Sequence, residues 1–262
     1  LTLDVHLLYK HHTDTFAGFK RYADERQWHT VLDDWIVETL ATSKRGRPAY
    51  DGVVARVGAE HAALIDATAK AGVPLVNAMA GSPFFATLPG VYPDFDQAGR
   101  IRAEHLISRG FSRLAFMASM ESKPYQLQAA GFATAAAAAG CPVTLFDMST
   151  TWGDTLPLYR KNLARLRAWL DEWDLPMGLG VSNDNFGRLV AQMVNDRGWR
   201  VPEDVAIVGG LNEEKLCETS RPTLSSVDVG YERVGYEAGR LLERLMDEAD
   251  VARSRKTRSV LG

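Results

Sequence analysis

Residues 178–211 read GLGVSNDNFGRLVAQMVNDRGWRVPEDVAIVGGL. A short apolar run at 178–181 gives way to a helical pattern at 185–196 that stops near Gly198, and a β-branched run follows at 205–208. A strand, a crossover helix and a second strand in one such stretch make a right-handed unit with parallel strands. The second strand runs into Gly209, Gly210 and Leu211 and then into acid-rich polar sequence. In open parallel sheets, ligands lie beyond the carboxyl ends of the strands, so this exit is where a site is expected.

The alternation continues outward in both directions. Strands are expected at 3–9, 51–57, 74–76, 113–118 and 143–146, and helices at 15–27, 61–70, 96–108, 126–139, 158–170 and 231–247. Gly72 and Gly140 supply helix stops. The run AAAAAG at 135–140 reads as a small-residue packing face on a strong helix former. The class is α/β. Periodicity alone leaves a closed barrel and two doubly wound sheets both open. The irregular stretch 81–94 carries Pro83, Pro89 and Pro93 with Phe84, Phe85 and Tyr92, a loop length that in α/β proteins goes with function.

A chain of 262 residues with 46% hydrophobic content makes one large or two medium globular domains. The formal charge of −3 shows no basic face, which argues against non-specific nucleic-acid binding by this segment. Lys44, Arg45 and Arg47, and Arg253, Arg255, Lys256 and Arg258, read as solvated loops. Two cysteines outside any CxxC pair, Cys141 and Cys217, suggest free thiols and a cytoplasmic location. No run of about 18 apolar residues occurs, so no membrane span is expected.

Catalytic signatures are missing: there is no nucleophile elbow, phosphate loop, HExxH or dinucleotide loop, and no enzyme activity is expected. His11, His12 and Asp14 lack a third distant partner, so neither a metal nor a cofactor is expected. Asp33 with Asp34, and Glu213 with Glu214, read as solvated or capping pairs. A set of polar and aromatic residues near strand ends is left: Tyr9, Phe16, Phe84, Asp94, Tyr125, Gln128, Trp152, Asn183 and Asp184. Asp94 and Asn183 sit where helix N-caps belong. As a group they suggest a cleft for a small polar molecule.

Five segments then read together, in order: VYPDFDQAGRIRAEHLISRGFSRLAFMA at 91–118, GFATAAAAAG at 131–140, VSND at 181–184, RGWRVPEDVAIVG at 197–209 and RPTLSSVDVGYERVGYEAGRLLERLM at 221–246. Their sequence resembles the effector domains of LacI/GalR-type regulators. GFSRLAF, NEEKLCETS and Leu-Ser-Ser-Val look like the xylose-operon branch, in which an AraC-type pair of helix-turn-helix units follows. The resemblance implies a type I periplasmic-binding-protein-like fold of two doubly wound parallel-sheet lobes with a ligand cleft between them. It places one lobe at 1–110 plus 225–250 and the other at 111–224 plus 258–262, with a last strand from 259. The DNA-binding domain is expected outside this chain. The implied partners are a sugar or sugar-like effector, a second copy in a homodimer, and DNA only through the attached domain. The alternatives are a periplasmic sugar-binding protein of a transporter and a regulator domain that has lost sugar sensing.

Departures from the pattern sharpen this reading. The arginine that such families carry three residues before Gly-Phe, to grip sugar hydroxyls, is Gln128 here. The carboxylate of their Val-Gly-x-Asp exit is Leu211, followed by Asn212, while Asn183 and Asp184 keep the VSND element. Two charged clamps at about 1.5–3 kcal/mol each correspond to a loss on the order of a thousandfold for a xylose-like ligand. A calorimetric titration is therefore expected to show weak xylose binding or none. On this reading Leu211→Asp with Gln128→Arg restores pentose affinity.

Overall fold

The structure, a computed structural model, describes residues 10–43, 48–148, 154–219 and 221–260. Two compact units divide the chain: residues 1–93 with 230–262, and residues 94–229. The strand expected at 3–9 and the basic turn at 44–47 lie outside the described residues.

In the first unit, α1 (Lys10–Glu25), α2 (Ile36–Ala41), β1 (Val53–Ala55), α3 (Ala62–Ala71) and β2 (Leu75–Asn77) are joined by the long α9 (Tyr231–Val260). The strands are parallel, with Val53 opposite Leu75 and Ala55 opposite Asn77. Alternation splits their side chains between two cores. Val53, Ala55 and Leu75 pack with Ile36, Leu40 and Leu64, while Val54 and Val76 pack with Phe19, Ala238 and Leu242. Backbone touches backbone between α1 and α9: a Cβ on Gly18 would overlap the Glu232 carbonyl, and one on Gly235 would overlap that of Thr15.

The second unit carries α4 (Phe95–Ser108), β3 (Leu114–Ala118), α5 (Lys123–Ala138), β4 (Val143–Asp147), α6 (Leu156–Asp171), β5 (Met177–Val181), α7 (Asp184–Asn195), β6 (Val205–Gly209), α8 (Glu214–Glu218) and β7 (Ser225–Ser226). Its sheet has the order β4-β3-β5-β6-β7, and every pairing is parallel. One face carries Ala115, Met117, Leu179 and Ile207 against Leu166, Leu170, Val190 and Val194. The other carries Leu114, Phe116, Ala118 and Val208 against Ala103, Leu106, Phe132 and Ala136. On this second face β5 offers only Gly178 and Gly180. A side chain at Gly180 would press on the Phe132 and Phe116 rings at 2.7 and 2.9 Å, so the glycines let α5 lie close to the sheet. Between α4 and α5 a Cβ on Gly99 would overlap the Gln128 carbonyl, and one on Gly131 would overlap that of Asp96.

Several expectations change. α4 packs on α5, β5 and β6 and so belongs to the second unit, which places the first boundary at Pro93 and Asp94 instead of near 110. Residues 225–226 join the same unit because Ser225 and Ser226 pair with Val208 and Gly209. Where a strand was expected from 259, α9 runs on through Val260, which also places Arg253, Arg255, Lys256 and Arg258 on a helix instead of in a loop. In the alanine run only Ala136 is fully buried and Ala135 partly so; the others are exposed and serve helix propensity. Gly140 does supply the left-handed stop, at φ +70°. The short α2, α8 and β7 carry too few residues to express a period.

Because neither helix of the α4–α5 pair can retreat from backbone contact without uncovering its core, Gly131→Ala is expected to lower stability by about 3 kcal/mol. The exposed Ala133→Ser serves as the control. Urea denaturation of both variants checks this.

Candidate functional site

The carboxyl edge of the second unit's sheet is organised by one carboxylate. β5 leads into α7, where the Asn183 side chain accepts from the Phe186 N–H at 3.1 Å as N-cap. Asp184 follows and is fully buried. Its Oδ1 accepts from the Gly210 N–H at 2.8 Å and from the Ser226 hydroxyl at 2.6 Å, and its Oδ2 accepts from the Glu213 N–H at 2.8 Å. Ser226 Oγ in turn accepts from the Asn212 N–H at 2.9 Å and the Leu211 N–H at 3.3 Å. The exits of β5, β6 and β7 and the start of α8 are thereby held by one group. Gly209 leaves room for this, since a Cβ there would overlap Asp184 Oδ1. Asn212 takes the left-handed conformation, φ 52°, that turns the chain out of β6.

A guanidinium lies behind this edge. Arg102 on α4 is fully buried; its Nε donates to the Gly209 carbonyl at 2.8 Å, and its Nη1 donates to Gln128 Oε1 at 2.7 Å and to the Ala98 carbonyl at 3.3 Å. Burial pushes the Arg102 pKa down to about 10, against the charge of Asp184 and, to a lesser extent, Tyr125; it stays protonated at neutral pH. Burial raises the Tyr125 phenol above its ordinary value, opposed by a hydrogen bond with Asn183 and by the Arg102 charge. Burial, followed by the Asp184 charge, pushes the Cys217 thiol up to about 11.

Tyr125, Gln128, Asn183, Asp184, Leu211 and Asn212 therefore meet at one sheet edge. Tyr125, Asn183, Leu211 and Asn212 are part-exposed, whereas Gln128 and Asp184 are fully buried. This corrects the expectation for Gln128: a guanidinium does occupy its surroundings, delivered from α4 instead of α5. Gln128→Arg would set two guanidinium groups in one buried space and is no route to a restored clamp. Asp94 is an exposed N-cap of α4, accepting from the Gln97 N–H at 2.9 Å.

Phe16 and Phe84 belong to the first unit, and Tyr9 and Trp152 lie outside the described residues. Phe84 is part-buried against the Ile36 and Leu64 core. The irregular stretch 81–94 is pinned by the fully buried Asn77, which accepts from the Val57 and Met79 N–H groups at 3.1 and 2.9 Å and donates to the Tyr92 hydroxyl at 3.1 Å. His11 and His12 stand in the first turn of α1; burial, then Arg56 and His12, hold the His11 pKa down to about 3.

Sequence reasoning missed Arg102, Ser226 and Asn77. One signal for Arg102 is present: it falls on the buried stripe Phe95, Ala98, Gly99, Arg102, Ala103, Leu106, a charge on an otherwise apolar face.

Comparison with known proteins agrees with this architecture. The periplasmic binding protein-like domain family matches residues 103–261. Catabolite control protein A of Priestia megaterium is 28% identical over 203 residues, 77% of this chain and 59% of that protein. The xylose operon regulatory protein of Escherichia coli is 34% identical over 87 residues, 33% of this chain and 22% of that protein. The chain thus spans little more than half the length of the first and less of the second. Among solved structures, a LacI family transcriptional regulator from Enterococcus faecium with bound ribose superposes with a TM-score of 0.65 at 19% identity, covering 90% of this chain and 85% of that one. A xylose-binding transcription activator superposes with a TM-score of 0.74 at 22% identity, covering 94% of this chain and 62% of that one. At these identities the superpositions show a shared fold.

Asp184→Ala, which leaves three buried or part-buried donors without their carboxylate, is expected to lower stability by about 3 kcal/mol. Cys217 reports the same loosening. In the native protein at pH 8, iodoacetamide should modify the part-exposed Cys141 and spare the buried Cys217, whereas in Asp184→Ala both should react. Peptide mass mapping after timed alkylation checks both halves.

Proposed function

The chain belongs to the periplasmic binding protein-like domain family, and on that premise we propose that it is the effector-sensing domain of a transcription regulator. It binds a small polar ligand, a sugar or sugar-like molecule, and alters the DNA binding of an attached helix-turn-helix domain. The observation that carries this reading is the carboxyl edge of the second unit's sheet. There part-exposed Tyr125, Asn183, Leu211 and Asn212 are presented on a framework that Asp184 holds rigid. Preorganised polar groups beside an apolar side chain suit a ring with hydroxyls on its rim and a hydrocarbon face.

The names of the relatives support regulation over catalysis, and they favour a LacI-type DNA-binding unit over the AraC-type pair expected from the xylose-operon features. The sequence match to the xylose operon regulatory protein covers 87 residues. We place the protein in the cytoplasm as a homodimer, in keeping with a DNA-binding partner domain. No helix among the described residues is long and apolar enough to cross a membrane. Ligand acts by preferring one of two conformational states, with a coupling of about 1–3 kcal/mol between effector and DNA.

A thermal-shift screen of sugars, sugar acids and polyols tests the reading, because a ligand at a hundred times its Kd stabilises the native state by about 2.7 kcal/mol. A hit should weaken about tenfold in Tyr125→Phe and in Asn183→Ala, each of which removes one polar group from the edge. Absence of any stabilising compound sinks the proposal.

A further inference from the structure

Three donors behind the candidate site are left over. Among the described residues, Arg102 Nη2, Gln128 Nε2 and Ser182 Oγ are buried and find no hydrogen-bond partner, and all three side chains are fully buried. They lie on one face of the sheet. Ser182 continues β5, its N–H donating to the Met117 carbonyl at 3.0 Å. By alternation it points to the same side as Gly180, which faces Phe132 of α5. Arg102 and Gln128 reach that side from α4 and α5 and are joined to each other at 2.7 Å. The guanidinium lies over Gly210. A Cβ at 210 would overlap Arg102 Nη2 and come within 2.6 and 2.7 Å of the Val181 and Ser182 carbonyl oxygens, so glycine is what admits the charge to this place.

A tie between α4 and β6 needs only the Nε bond to Gly209. It does not account for three idle donors on one face, nor for a buried cation that forms no ion pair among the described residues. Among the described residues Asp184, also fully buried, lends its charge to Arg102 but directs its hydrogen bonds to Gly210, Ser226 and Glu213 and none to the guanidinium. A neutral hydroxyl brings a donor of its own with each oxygen and adds no negative charge. A carboxylate brings two acceptor oxygens and a negative charge, which Nη2 can meet with a charge-assisted hydrogen bond while Gln128 Nε2 or Ser182 Oγ donates to the other oxygen.

We propose that Arg102, Gln128 and Ser182 form an anion subsite and that the effector is a sugar acid, whose carboxylate they bind, rather than a neutral sugar. This rests on the effector-sensing reading above and narrows it. Arg102 supplies the charge, Gln128 aims it through Oε1 and adds Nε2, and Ser182 completes the donor set.

The test is a calorimetric panel on the unmodified protein that pairs aldonates and uronates with the matching neutral aldoses, with their carboxamides and with sugar phosphates. The expected result is an acid that binds at least about tenfold tighter than its own amide and its aldose, with affinity falling as salt rises. Gln128→Glu separates this role from a structural one. The substitution is nearly isosteric and sets a carboxylate against Arg102, so the melting temperature should hold or rise while acid binding falls at least about tenfold. Arg102→Met should also lose the acid, and circular dichroism reports whether it folds. If an aldose or amide binds as tightly as the acid, or if Gln128→Glu keeps full acid affinity, the subsite is wrong and the sensing role stands. Preference for a sugar phosphate over every carboxylate overturns the ligand class. If no member of the panel binds, the subsite and the sensing role fall together.

Discussion

The carboxylate of Asp184 is the point on which the second unit's working edge depends. Parallel strands end with backbone N–H groups that nothing in the sheet can satisfy, and β6 is followed at once by a turn that has no regular partner. One buried side chain answers two of these needs, at Gly210 and Glu213, and holds the Ser226 hydroxyl, which passes the support on to Leu211 and Asn212. The two-residue strand β7 is held by its pairing with Val208 and Gly209, by this hydroxyl contact and by the buried Leu224 beside it. The first unit solves a similar problem without charge, through the amide of Asn77 and the stretch it pins behind β2.

Close backbone approach is the second constraint, and both units meet it with glycine. Gly18 and Gly235 bring α1 and α9 into contact, and Gly99 and Gly131 do the same for α4 and α5. The consequence reaches the site. With α4 pressed against α5, the side chain of Arg102 can reach Gln128 and extend to the Gly209 carbonyl. Gly210 completes the chain of cause, since any side chain there would push the guanidinium away. Packing in the helical layer thus decides which charge stands behind the strand ends.

The order of the longer strands and helices in the second unit was legible because each of these is long enough to show its own period, and the caps at Asp94 and Asn183 and the stop at Gly140 because they act within a few residues. α2, α8 and β7 were not, being shorter than the windows in which amphipathic patterns emerge. The unit boundary was misplaced because α4 precedes its sheet in sequence while its apolar stripe belongs to that sheet. At the site, Tyr125, Asn183, Leu211 and Asn212 were found as edge residues. Gln128 was found for the wrong reason, as a vacancy where a guanidinium should be.

By itself, then, the sequence determined that this is an α/β chain with parallel strands, where most helices start and stop, and that Leu211 rather than a carboxylate leaves β6. These are properties of neighbours along the chain, set by hydrophobic period, capping and backbone conformation. Tertiary structure alone decided that Arg102 fills the space beside Gln128 and that Asp184 gathers Gly210, Glu213 and Ser226. Those partners lie 26 to 42 positions apart in sequence. Their meeting follows from which helix faces pack together and from the need to satisfy a buried charge wherever packing has put it.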